Sequence, residues 1–264
     1  MTGAAADDPE EWRLLETPDV PAAFAMGLDE AILRSVGAAP TLRLYSWAPE
    51  ALSLGYFQAF EDVPAAADHP SVVRRLTGGG AIQHHAGELT FSVALDAAHP
   101  AYGGSVPDSY ARTHRAVARA LEAVGVPSVA PRDDRTCVSD LEGTGMCFHD
   151  STPMDLCWEM PGAGLAKGVG TAQRRTGGRI LHHGSIKLDA AGLEPAIAHA
   201  AGAGASTDHA AMSRALVAAF EDEFAVRLVP SEPAPEELRA AEELGARYGA
   251  PEFVHRDPRR GRGR

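Results

Sequence analysis

Lysine is almost absent from this chain. Of 24 basic side chains in 264 residues only two are lysine, Lys167 and Lys187, and both fall within one short stretch. A chain that relies on arginine elsewhere keeps a lysine where a compact ammonium with a movable pKa does what a planar, permanently charged guanidinium cannot. Lys167 stands among glycines in Gly164-Leu165-Ala166-Lys167-Gly168-Val169-Gly170, where backbone and substrate can approach closely. Lys187, at a strand end, is expected to be solvated. Cysteine is scarce too. Cys137, Cys147 and Cys157 cannot all pair with one another and no CxxC occurs, which excludes a disulfide framework and a thiolate zinc site. Their ten-residue spacing matches no familiar ligand pattern. No window nears the run of about 20 apolar residues that crosses a bilayer, and residues 1–11 are acidic and alanine-rich, unlike a secretory signal. A cytoplasmic location is expected. A net charge of −12 argues against a nucleic-acid binder, which needs a basic footprint. Walker A, GxGxxG and HExxH patterns are all missing.

What is present is an ordinary globular composition, 45% hydrophobic and 23% charged, with enough apolar material for a large core. Helical spacing marks Pro21 to Val36, Val106 to Val124, a segment through Met212, Leu216, Phe220 and Phe224 capped near Ser206-Thr207-Asp208, and Pro235 to Tyr248. Strand patterns cover Thr41 to Trp47, Ala51 to Leu54, Val72 to Arg75, Ala81 to His84, Leu89 to Leu95, Thr136 to Leu141 and Met154 to Glu159. Lys167 to Arg175 and Gly178 to Leu188 read as a hairpin. The order does not alternate as βαβα, so an α+β fold with mostly antiparallel sheets and flanking helices is predicted. The expected organisation is a disordered acidic N-terminus over 1–11, a main domain over 12–228, a linker and C-terminal helix packed on it over 229–250, and a disordered basic tail over 251–264.

Three segments carry chemistry. In Arg74-Arg75-Leu76-Thr77-Gly78-Gly79-Gly80-Ala81-Ile82-Gln83-His84-His85, three glycines between strands expose backbone N–H groups that can converge on an anion or carbonyl, with two arginines at the entrance. Arg174-Arg175-Thr176-Gly177-Gly178, with His182-His183 after it, echoes that turn. The paired histidines lack a carboxylate at ligand spacing, so no metal site is assigned. Cys147, in Gly143-Thr144-Gly145-Met146-Cys147-Phe148, has an accessible glycine-rich approach, whereas Cys137 and Cys157 fit burial better. A Lys167 ammonium near Cys147 would favour chemistry at that sulfur.

These segments resemble the lipoate–protein ligase and octanoyltransferase superfamily, with its biotin/lipoate ligase-type catalytic domain. The resemblance rests on Arg74 to His84 with Gly87-Glu88-Leu89-Thr90-Phe91-Ser92-Val93, and on Lys167-Gly168-Val169-Gly170-Thr171-Ala172-Gln173-Arg174-Arg175 with His183-Gly184-Ser185-Ile186. It runs from about Trp12 to Tyr248. Cys147-Phe148, separated from Lys167 by an apparent insertion around Pro161 to Gly164, is similar to the Cys-Phe of the cysteine-dependent, LipM-type branch. That branch implies transfer of an octanoyl group from octanoyl-acyl carrier protein to a lysine of a lipoyl domain, through a thioester intermediate. The acceptor would be glycine-cleavage H protein or a 2-oxoacid dehydrogenase acyltransferase subunit. Implied catalytic residues are Cys147 and Lys167. Arg75, Gly78, Gly79, Gly80, His84, Gly170, Thr171, Ala172 and His183 are implied to bind substrate. No cofactor is required on this route. The alternatives are an ATP-dependent lipoate–protein ligase, which would use ATP and Mg²⁺ to form lipoyl-AMP, and a non-catalytic binding protein that kept the pocket.

Overall fold

The computed structural model describes residues 8–190, 192–194 and 196–257. In chain order the elements are β1 (Glu10–Val20), α1 (Ala22–Arg34), β2 (Thr41–Trp47), β3 (Ala51–Leu54), β4 (Val72–Arg74), β5 (Ile82–His84), β6 (Glu88–Asp96) and α2 (Val106–Ala123). Then follow β7 (Ala130–Pro131), β8 (Leu156–Met160), β9 (Gly164–Thr176), β10 (Arg179–Lys187), α3 (His209–Phe224), β11 (Val226–Pro230), α4 (Pro235–Tyr248) and α5 (Pro251–Val254). The large sheet runs β11-β1-β2-β6-β10-β9-β8-β7, and a small one runs β4-β3-β5. Pairing is antiparallel from β2 to β7, whereas β1 lies parallel to both β2 and β11, and β3 parallel to β4. The fold is α+β, with mixed sheets that are mostly antiparallel.

Period-two side-chain alternation makes the large sheet two-faced. Leu42 and Leu44 of β2 join a core built with Ala116, Val117 and Leu121 of α2 and Met212, Leu216 and Phe220 of α3. Tyr45 and Trp47, on the other face of the same strand, pack with Ala25, Met26 and Ile32 of α1 and Ala241 and Tyr248 of α4. Arg43 shares that second face and is fully buried, its guanidinium held by Asp29 of α1 at 2.7 Å. Helix starts follow capping chemistry. Ser105 and Asp108 form a reciprocal capping box at α2, and Asp208 accepts from the N–H groups of Ala210 and Ala211 at α3.

Four expectations need correction. Glu10 and Glu11 open β1 rather than a disordered N-terminus; residues 1–7 lie outside the described residues. The linker is shorter than predicted, because Val226–Pro230 is a strand paired with β1. At the other end Pro251–Val254 is helical and Arg256 stacks on Tyr56, so the predicted disordered tail does not begin at 251; residues 258–264 lie outside the described residues. Residues 136–141 form no strand. The Val138 N–H donates to Leu165 O at 2.8 Å, and the chain then turns through Asp140 N–H to Cys137 O at 3.1 Å. That loop crosses the edge of the sheet and delivers Cys147. The apparent insertion near Pro161 is the turn joining β8 to β9, closed by Ala163 N–H to Met160 O at 3.0 Å.

Candidate active site

Cys147 opens a short 3₁₀ turn, Cys147–His149, whose position is set by backbone bonds to the glycine loop. Its N–H donates to Ala81 O at 2.7 Å, while Ala81 N–H donates to Gly145 O at 2.8 Å. The two strands of this crossing are so close that a Cβ on Gly80 would lie 2.8 Å from Cys147 N. Gly170, on β9, faces the thiol from the other side, where a Cβ would stand 3.2 Å from Sγ. These glycines let the sulfur sit between a narrow inner cavity and a wider mouth, both of which it lines.

Lys167 comes to the same sulfur from β9. Its Nζ is 3.6 Å from Cys147 Sγ and donates to Cys147 O at 2.7 Å and Asp150 O at 3.0 Å; Asp155 Oδ2 lies 3.0 Å away. Burial works against the charge, but the Cys147 sulfur and the Asp155 carboxylate outweigh it and hold the ammonium above the usual lysine range. Three acceptors around three N–H bonds leave this group an ammonium, a fixed positive charge beside the sulfur.

The other predicted residues converge on the same place. Arg75, Gly78, Gly79, His84, Gly170, Thr171, Ala172 and His183 line the inner cavity with Cys147, and Gly80 and Lys167 line the mouth. Several are held from behind. Arg75 donates to Gly78 O and Gly80 O, both at 2.7 Å, and to Ser53 O at 3.0 Å, so it shapes the glycine loop. His84 is stacked on Trp47 at 3.8 Å and bonded to Ser53 and Glu88, each at 2.8 Å; burial drives its pKa down to about 4. His183 bonds Thr77 Oγ1 at 2.6 Å and approaches Asp29 at 3.3 Å.

Sequence reasoning missed Asp155, which belongs to no motif and reaches Lys167 only because β8 and β9 pair. Apolar strand residues are expected to line an acyl tunnel, but sequence reasoning named none of the side chains that do so, Tyr45, Trp47 and Ile82, nor Met26 of α1 beside them. His114 of α2, bonded to Thr171 Oγ1 at 2.8 Å and lowered to about 4 by burial, is a third omission. Helical spacing marked α2 but gave no reason to single it out. Lys187 contradicts its expected solvation. It is fully buried, with Glu88 at 2.9 Å and Glu194 at 2.8 Å, and donates to Gln83 O at 2.6 Å. Cys137 and Cys157 are buried free thiols whose sulfurs lie 3.7 Å apart, so two of the evenly spaced cysteines are spatial neighbours. Among the described residues no group of three or more His, Cys, Asp or Glu side chains is arranged to hold a metal ion.

The model of the lipoyl protein ligase A/B catalytic domain matches residues 21–226. The chain belongs to that family. Within it, the chain is 33% identical to octanoyltransferase LipM of Moorella thermoacetica, covering 94% of this chain and 98% of that one. It is 34% identical to octanoyltransferase LipM of Kyrpidia tusciae, covering 94% and 99%. The fold matches a solved lipoate-protein ligase A bound with ATP, with a TM-score of 0.72 at 22% identity over 94% of this chain and 99% of that one. It also matches the bipartite lipoate protein ligase of Thermoplasma acidophilum, with a TM-score of 0.73 at 20% identity over 94% and 97%. The biotin/lipoate ligase-type architecture implied by the motifs is therefore the architecture present.

Proposed function

We propose that this chain is an acyltransferase of protein lipoylation that moves an octanoyl group from a carrier thioester onto a lysine of a lipoyl domain, by way of an acyl-enzyme on Cys147. What supports the reading most is the Cys147–Lys167 pair, with sulfur and ammonium 3.6 Å apart at the neck between a narrow, largely apolar cavity and a wider mouth. The octanoyl chain lies in the inner cavity against Met26, Trp47 and Ile82, and its thioester carbonyl sits at the neck.

The Cys147 sulfur forms a bond to that carbonyl, and the carrier's C–S bond breaks. The carrier thiol leaves with the proton that Cys147 gave up. Exchange of one thioester for another is nearly isoenergetic, so the acyl group keeps its reactivity toward an amine. The acceptor lysine then attacks through the mouth, an amide forms, and the Cys147 thiolate departs and takes up the amine's proton. Lys167 steadies negative charge at the neck in both steps, on the sulfur and on the oxyanion. Asp155 holds it there as an ammonium. The octanoyl-acyl carrier protein is the donor in this scheme, and a lipoyl domain, of H protein or of a 2-oxoacid dehydrogenase subunit, is the acceptor. The route draws on no nucleotide or metal.

The test is transfer between purified octanoyl-carrier and a lipoyl domain without ATP. Octanoylated acceptor is the expected product. Product that forms only when ATP, Mg²⁺ and free octanoate or lipoate are supplied would mean a ligase.

A further inference from the structure

The chain carries a net charge of −12, yet arginines gather on one concave face near the site. Arg34, Arg174, Arg247 and Tyr56 line a single cleft, in which Glu30 is the one lining carboxylate among the described residues. Arg34 and Arg247 share Glu30. Arg256 adjoins the cleft: its guanidinium lies 3.6 Å from the centre of the Tyr56 ring, and that of Arg174 lies 5.0 Å from it. Among these residues the four arginines Arg34, Arg174, Arg247 and Arg256 outnumber the carboxylates Glu30 and Asp257. The charges are accessible, since the Arg34 and Arg247 side chains are 59% and 43% exposed.

The cleft is tied to the catalytic neck by two routes. Tyr56 N–H donates to Thr77 O at 2.7 Å, immediately before the glycine loop. Along β9, Thr171 lines the cavity with Cys147 while Arg174 lines the cleft. Three residue steps of extended strand, about 10 Å, separate the two.

We propose that this arginine cleft docks an acidic carrier domain that presents the acyl thioester on a long flexible arm; the inference rests on the acyl-transfer reading above. The offset decides between donor and acceptor. An acceptor lysine is short and must be placed directly over the mouth, whose lining has no arginine and sets Val106, Pro107, Tyr110 and Met154 beside the carboxylates of Asp150 and Asp155. A carrier on a long arm docks to one side and still reaches Cys147. Exposed arginines act on encounter and orientation, so their effect falls with salt.

The experiment measures acyl-enzyme formation, and overall transfer to a lipoyl domain, in the unaltered protein and in the Arg34→Glu/Arg174→Glu double variant. The donors are octanoyl-carrier and a small uncharged octanoyl thioester. Neither arginine belongs to the catalytic neck. The expected result is a KM for the carrier donor raised about tenfold or more at low salt, with kcat within about twofold and the gap closing near 0.5 M salt. The small thioester and the acceptor domain keep their KM values. Arg174→Gln alone, which leaves Glu30 its partners, moves the carrier KM in the same direction. An unchanged carrier KM, or a rise confined to the acceptor, overturns the proposal. A failure of the unaltered protein to be acylated even by the small thioester overturns the transfer reading instead.

Discussion

At the scale of single residues, the surroundings of Lys167 explain why the chain keeps a lysine there. Its ammonium meets two carbonyls and one carboxylate within 3.0 Å, all inside a pocket walled by Gly170 and the Cys147 turn. A guanidinium is wider and planar, and it fits neither the space nor the three acceptor directions. Lys167→Arg should therefore lose acyl-enzyme formation almost as fully as Lys167→Ala, by about a hundred- to a thousandfold. Stopped-flow acylation of folded variants measures this, and near-normal rates in Lys167→Arg would show that charge alone suffices. Gly170→Ala pushes a methyl group to 3.2 Å from Sγ, closer than ordinary van der Waals contact. Its acylation should slow at least about tenfold while its melting temperature changes little, as misplacing a reacting atom does. Cys137→Ser and Cys157→Ser, both in a buried satellite cluster with Leu165, should alter stability and leave turnover per folded molecule unchanged.

At the scale of elements, β10 ends on a buried lysine that ties three segments together. Lys187 joins β10 to Gln83 of β5 and Glu88 of β6, and to Glu194 in the segment after β10. Removing the charge leaves two buried carboxylates facing each other, and breaking such a pair costs about 3–5 kcal/mol. Lys187→Met should accordingly unfold at much lower urea concentration, and Lys187→Arg should also be destabilised because its larger head group has no free volume. Urea midpoints decide this; a wild-type midpoint in Lys187→Met would mean that the ion cluster carries no stability.

Lys187 also shows where sequence legibility ended. The helices were readable because apolar spacing and caps are local signals: Pro235 to Tyr248 matches α4, and Val106 to Val124 overruns α2 by one residue. Strands β1 and β11 were not. β1 carries Pro18 inside it, a residue that argues against a strand, and a register shift between Thr17 and Val20 accommodates it. β11 is a short partner whose pairing with β1 links residues more than 200 positions apart. The site was legible where glycine, lysine and cysteine mark close approach. Asp155, His114 and the buried side of Lys187 depend on which strands and helices become neighbours, which no local pattern records.

At the scale of the whole molecule, the packing of α2 and β5 against the site buries titratable groups in their neutral form. His84 and His114 have pKa values near 4 in the folded protein, each mainly through burial, against 6.5 in the unfolded chain. Between those values the unfolded chain binds protons that the folded protein does not, so stability must fall as the pH drops from 6.5 toward 4. Denaturant midpoints measured across that range should decline steadily, and His114→Gln should flatten part of the decline. A midpoint independent of pH there would mean that these imidazoles titrate normally in the folded protein.

The proposed acyl-enzyme, in which Cys147 carries the acyl group between donor and acceptor, underlies the expectations at all three scales. The direct measurement is intact mass after the enzyme is mixed with octanoyl-carrier alone, without acceptor or ATP. The account predicts one added octanoyl group, mapped to Cys147 by peptide analysis, absent from Cys147→Ser and discharged when a lipoyl domain is added. An unmodified enzyme that still transfers octanoyl groups, or a folded Cys147→Ser variant with near-normal transfer, would contradict it.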